Sequence, residues 1–145
     1  MSALSFWSKS DEGRELSNFY PCKIKIEMYG REYTFNNAEA AYQAHKMTEG
    51  NQHLFSTLSG KEAKEMVRSL PHVDSWGEIM KEAAMMHVLD AKFSQNAELA
   101  AYLISTAPRK LIHWAPWDNY WGWSRENNGW NRLGELLMEL RNELR

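Results

Sequence analysis

The chain is predicted to fold as α+β, a mostly helical single domain with a small antiparallel sheet. Three observations carry that prediction. One short stretch alternates polar and apolar residues and runs into a turn signal. Several later stretches set apolar residues at helical spacing. No low-complexity linker, composition break or internal repeat divides the 145 residues. A chain of that length fits one domain, residues 1–145, near the commonest domain size.

Lys23-Ile24-Lys25-Ile26-Glu27-Met28 has the alternation of a half-buried strand. Tyr29-Gly30 supplies a turn, and Arg31–Phe35 returns as the second strand of a hairpin. Asn36 or Asn37 then caps a helix through Ala38–Met47. Ser59 or Gly60 opens a second helix, with Ala63, Met66, Val67 and Leu70 inward and Pro71 as its stop. Ser75-Trp76-Gly77-Glu78 has capping-box spacing and opens the longest helix, to about Phe93, with Ile79, Ala83, Met86 and Phe93 on one face. Asn96 caps a short helix that turns Leu99, Tyr102 and Leu103 inward, and Leu111–Trp114 forms a further strand. The last helix, from about Asn131, has the clearest stripe: Leu133, Leu136, Leu137, Leu140 and Leu144.

Composition narrows the function classes. A formal charge of −2 gives no broad basic field, which argues against salt-driven binding to duplex nucleic acid. A local site for a nucleotide or one extruded base remains open. Cys22 is the only cysteine, so no internal disulfide forms and a reducing, cytoplasmic setting is expected. The opening residues turn polar too early for a signal peptide, and no apolar run has the length of a membrane span. The five histidines lack metal-ligand spacing, so no metal is expected. No GxGxxG, Walker or GxSxG pattern occurs, and no cofactor is signalled. Cys22 reads as a small packing residue.

The positive signals lie in two places, which are expected to form one site. Glu39, Tyr42, Gln43 and Lys46 stand at i, i+3, i+4 and i+7, on one helix face, with Ala40, Ala41 and Ala44 leaving the other sides small. A carboxylate, a phenol, an amide and an amine suit a polar ligand and acid–base or nucleophilic chemistry. The same residues also admit a bland reading: Asn36-x-x-Glu39 has capping-box spacing, and Lys46 near a helix end favours the dipole. The second place is tryptophan-rich. Of seven tryptophans, Trp114, Trp117, Trp121, Trp123 and Trp130 fall in one short stretch also rich in Asn, Gly and Pro. There Asp118 precedes the Trp121-Gly122 step, where glycine would let backbone approach a ligand. Gly129, Asn131, Arg132 and Gly134 form either a phosphate seat or an ordinary helix start. Ser17-Asn18-Phe19-Tyr20-Pro21 adds an amide and aromatic rings before the hairpin.

Read in order, the motifs are F-W-S in Phe6–Ser8, S-N-F-Y-P in Ser17–Pro21, G-x-x-Y in Gly30–Tyr33 and E-x-x-Y-Q-x-x-K in Glu39–Lys46. Y-W-G in Tyr120–Gly122 and N-R-L-G-x-x-L-M-x-x-R in Asn131–Arg141 follow. The chain resembles the NADAR (YbiA-like) family over nearly its whole length, least so from roughly Glu49 to Arg68. The resemblance implies a compact α+β fold without metal, and cleavage of an N-glycosidic bond between a ribose carbon and nitrogen. It brings two substrate classes. One is ADP-ribose on guanine in nucleic acid, whose removal reverses a toxin's modification. The other is the ribosylated aminopyrimidine intermediates of riboflavin synthesis. By motif, Glu39 and Lys46 match the family's glutamate and lysine and are the expected catalytic residues. Trp121 and Trp76 match family tryptophans. Asn18, Phe19, Tyr42, Gln43, Trp76, Asp118, Trp121, Gly122 and Asn131 are the expected substrate contacts. Many members continue Trp-Gly with Asp-Gly, whereas this chain has Trp123-Ser124. Loss of that carboxylate bears on substrate choice and keeps a non-catalytic reader of ADP-ribose or NAD as the rival reading.

Overall fold

The structure is a computed structural model that describes residues 2–145. In chain order its elements are β1 (Leu4–Phe6), β2 (Ile24–Met28), β3 (Arg31–Phe35), α1 (Ala38–Ala44), α2 (Gly60–Met66), α3 (Glu78–Gln95), α4 (Ala97–Ser105), β4 (Leu111–His113) and α5 (Arg132–Leu144). Contacts gather these into two compact units, one of Asn18–Asn96 and one combining the chain up to Ser17 with Ala97–Arg145.

In the Asn18–Asn96 unit, β2 and β3 form the predicted antiparallel hairpin, with Met28 opposite Arg31. Tyr29 (φ 53°) and Gly30 (φ 73°) both take left-handed backbone, the conformation that matches a two-residue turn to the twist of its strands. Ile24 and Ile26 are buried while Lys25 and Glu27 face out, as alternation requires. Gln95, at the end of α3, accepts from the Lys25 N–H at 2.7 Å and donates to the Lys25 carbonyl at 2.8 Å.

Asn37 caps α1: its Oδ1 accepts from the Ala40 N–H at 2.8 Å, and its Nδ2 donates to the Leu58 carbonyl at 2.9 Å. Ala38, Ala40, Ala41 and Ala44 are fully buried. Side chains this small let α1 lie close to α2 and α3. The helix ends at Ala44 rather than Met47, because the next amides tighten to three-residue spacing: His45 to Tyr42 O, Lys46 to Gln43 O and Met47 to Ala44 O. Ser59 opens α2 with a full capping box to Glu62.

The longest helix departs from expectation twice. Gly77, without a side-chain cap, precedes it, so the Ser75–Glu78 box does not form. Its buried face is Ala84, Met85, Val88, Leu89, Lys92 and Phe93, whereas Ile79 is 86% exposed, Ala83 is exposed and Met86 half-buried. Apolar residues occur on both sides of α3, and a buried lysine interrupts the true stripe, so periodicity alone favoured the wrong one. Asn96 gives its Nδ2 to Lys92 O (2.8 Å) and Lys23 O (3.0 Å), tying the end of α3 to the residue before β2.

In the other unit, β4 pairs in parallel with β1, Leu4 opposite Leu111 and Phe6 opposite His113. The three-residue β1 is too short for alternation to announce. Leu133, Leu136, Leu137 and Leu140 of α5 are buried as predicted, with Leu144 half-buried. Leu99 and Leu103 of α4 are buried and Tyr102 is half-buried. Among the described residues no helix is long and apolar enough to cross a membrane.

Candidate active site

With its alanines turned inward, α1 has one polar stripe left: Glu39, Tyr42, Gln43 and, just past its end, Lys46. Tyr42 and Gln43 are each 5% exposed, and Glu39 and Lys46 are half-buried, so this is not a solvated helix face. The cap of α1 belongs to Asn37, which frees Glu39 from the capping-box role that its spacing also allowed. The Glu39 N–H instead donates to the Asn18 carbonyl at 2.9 Å. Its carboxylate Oε2 accepts from Gln43 Nε2 at 2.6 Å, a short charge-assisted bond.

Two amide oxygens beside this carboxylate, Asn18 Oδ1 and Gln43 Oε1, are buried and accept no hydrogen bond. Their amide nitrogens are engaged, Asn18 Nδ2 with Met85 Sδ at 3.3 Å and Gln43 Nε2 with Glu39. A buried acceptor left without a donor costs about 1–3 kcal/mol.

Lys46 completes the stripe. Its amine lies 5.3 Å from the Tyr42 ring centroid and 5.7 Å from that of Trp76; the two rings meet edge-on at 5.8 Å. Trp76 is brought there by the strap before α3, whose Val73 N–H donates to the Lys46 carbonyl at 2.8 Å. Burial holds the Lys46 amine below the ordinary lysine value of 10.5. The Glu39 carboxylate opposes that shift, and Lys64 and Lys81 add to it. A neutral amine, the nucleophilic form, is correspondingly more available. Phe19 packs against the start of α2, where a Cβ on Gly60 would meet its ring. Burial raises the Cys22 thiol above its usual value, with Lys92 opposing, which fits a packing residue.

The remaining predicted residues lie in the other unit, and there the polar groups hold backbone. Asp118 Oδ1 accepts from the N–H groups of Tyr120 and Trp121, both at 3.0 Å. A Cβ on Gly122 would collide with Ala115 and crowd the His113 and Asp118 carbonyls, so glycine is demanded here by packing. Asn131, left-handed at φ 54°, accepts from His113 N at 2.8 Å and donates to Leu111 O at 2.9 Å, locking the start of α5 to β4. Trp121 is half-buried, its ring edge-on to Tyr120 at 4.8 Å. Sequence reasoning missed Met85, the partner of Asn18, because it assigned the wrong face of α3. Among the described residues no group of three or more His, Cys, Asp or Glu could hold a metal ion.

Fold and site together define a small α+β protein built around a carboxylate and an amine on one helix face, equipment for acid–base or imine-forming catalysis. The chain belongs to the NADAR domain family, whose model matches residues 5–145. It is 39% identical to "N-glycosidase YbiA" of Escherichia coli (strain K12), across 97% of this chain and 88% of that protein. It is 33% identical to "Riboflavin biosynthesis protein PYRR, chloroplastic" of Zea mays, across 97% of this chain but 25% of that protein. The NMR structure of the E. coli protein YbiA is similar with a TM-score of 0.82, over 99% of this chain and 84% of that one. These relatives support an N-glycosidase role.

Proposed function

We propose that this chain is an N-glycosidase that hydrolyses a ribose–nitrogen bond, with ADP-ribosylated guanine in nucleic acid as its substrate class and the cytoplasm as its setting. The observation that carries the reading is the pairing of Glu39, oriented by Gln43, with a Lys46 amine whose charged form is disfavoured by burial. Glu39 delivers a proton to the leaving nitrogen as the C–N bond breaks and its electron pair passes to that nitrogen; water adds to the ribose carbon and returns a proton to Glu39. General acid help of this kind is worth about 10²–10⁴-fold. In the imine route the ribose ring C–O bond opens first, the Glu39 proton going to the ring oxygen, and an iminium forms at the glycosidic carbon. Neutral Lys46 adds there and passes a proton to the base nitrogen, which departs, and water hydrolyses the lysine imine. Tyr42 and Trp76 shield that carbon from bulk water.

The name of the Zea mays relative favours a second reading, in which the substrate is a ribosylated aminopyrimidine of riboflavin synthesis. A third reading, a reader of ADP-ribose or NAD without turnover, follows from Trp123 standing where many relatives have aspartate. Incubation with ADP-ribosylated guanosine oligonucleotide and, separately, with aminopyrimidine ribosides decides among them. Release of ADP-ribose from the oligonucleotide alone supports the first reading. Turnover only of the ribosides replaces it with the second, and binding without release replaces it with the reader.

A further inference from the structure

His45 lies between the end of α1 and Lys46. Its Nδ1 is 2.7 Å from the Ala41 carbonyl, and a carbonyl only accepts, so this nitrogen carries the proton. The His45 N–H has turned to Tyr42 O, and the imidazole therefore replaces the backbone donor that Ala41 O would meet in a continuing helix. A neutral ring protonated at Nδ1 has a bare Nε2. That Nε2 is 3.1 Å from Nδ1 of His87 on α3, the rings standing at 85°. His87 Nδ1 is then the donor, and its own Nε2 is the nitrogen that takes up a proton without disturbing either bond. A further proton, which leaves both rings charged, sets two N–H groups face to face.

We propose that His45 and His87 form a one-proton clamp between α1 and α3 that positions the Lys46 amine. One proton added to the pair leaves the clamp closed; a second, which makes both rings cationic, opens it. The pair are positioning residues for the site, and this role rests on reading Lys46 as the site's amine. The link is short. Lys46 is the next residue, its N–H donates to Gln43 O at 3.0 Å, and its carbonyl holds the strap that brings Trp76 over the amine. Releasing His45 from α3 loosens the turn from which the lysine side chain leaves.

The charged groups acting here come from three helices. Glu39 of α1, Lys64 of α2 and Lys81 of α3 act on Lys46, and His87 of α3 acts on His45. Burial holds His45 below the ordinary imidazole value of 6.5, with the Ala41 bond opposing and His87 adding to the shift. A lowered value means that the neutral ring persists further into acid. The clamp is thus closed at neutral pH and opens in acid only once both rings are charged, which for His45 comes below 6.5.

Two readouts test the clamp without turnover. Long-range proton–nitrogen spectra of the imidazoles at neutral pH should show both rings protonated at Nδ1 and bare at Nε2. The Lys46 ε-methylene signal, shifted by the Tyr42 and Trp76 rings, should hold its place at neutral pH and move towards an ordinary lysine position in acid. His87→Ala should move it at every pH. His87→Asn should hold it throughout, because the Asn amide nitrogen replaces His87 Nδ1 as donor and the amide can turn over so that its oxygen accepts from a charged His45. A neutral His45 protonated at Nε2, or a Lys46 signal indifferent to His87→Ala, overturns the proposal. Absence of turnover on every ribosylated substrate, with these signals as expected, counts against the glycosidase reading alone.

Discussion

The α1 face and the tryptophan-rich segment from Trp114 to Asn131 are both crowded with polar and aromatic side chains, yet they use them differently. In the segment, which has no regular structure, polar side chains do the work of a missing ladder. Asp118 accepts from two backbone amides, Asn127 from Ser124 N and Gly129 N while donating to Ala115 O, and Asn131 bridges to β4. On α1 the open backbone groups at the ends are met by Asn37, the Asn18 carbonyl and the His45 ring, none of them from the polar stripe. Glu39 and Gln43 can therefore address each other, and one acceptor on Gln43 is left unmatched. Chemistry-bearing residues are more available where the backbone needs no help from them. The segment's rings differ too: Trp117 is 60% and Trp130 67% exposed, whereas Tyr42 is 5% exposed against the Lys46 amine.

The contrast can be broken by substitution. Glu39→Gln keeps the shape and the bond from Gln43 but removes the acid, so turnover on the productive ribosylated substrate should fall about 10²–10⁴-fold with an unchanged melting curve. Near-normal turnover would take Glu39 out of the reaction. Lys46→Met should abolish an adduct trapped by borohydride during turnover. In the native chain, trapping should rise with pH through an amine titration below the 10.5 of an ordinary lysine, because only the neutral amine adds. Gly122→Ala tests the segment as scaffold. The added methyl overpacks against Ala115, and chemical denaturation should show a loss of about 1–3 kcal/mol. Asn37→Ala removes the cap of α1 and should lower stability by about 1 kcal/mol while also reducing turnover. Trp117→Ala, at an exposed ring, should change stability by less than about 0.5 kcal/mol.

Much of this was legible in the residues. The hairpin followed from strict alternation and a Tyr-Gly turn, and α5 from five leucines at helical spacing. The stripe Glu39, Tyr42, Gln43, Lys46 was found by counting alone. The count could not choose between cap and catalyst for Glu39, since Asn36 and Asn37 were equal candidates and one residue of slip decides which side chain is needed at the helix start. The face of α3 was misread because Lys92 lies fully buried in a position that pattern reading gives to solvent. That error hid Met85 as a neighbour of the site. Gly122 and Asn131 were picked out as ligand contacts, yet the demand on them comes from carbonyls and side chains far off in sequence, which no local motif records.

The bond pair between Gln95 and Lys25 has a consequence for the molecule's conduct in solution. A two-stranded sheet exposes a free edge, and a free edge invites a strand from another molecule. Gln95 meets β2 as a peptide group would, donating once and accepting once, and Asn96 adds a donor to Lys23 O. Two amide side chains thus imitate a third strand too short to be extended. The hairpin is closed to edge-to-edge aggregation at that point without a further strand of its own.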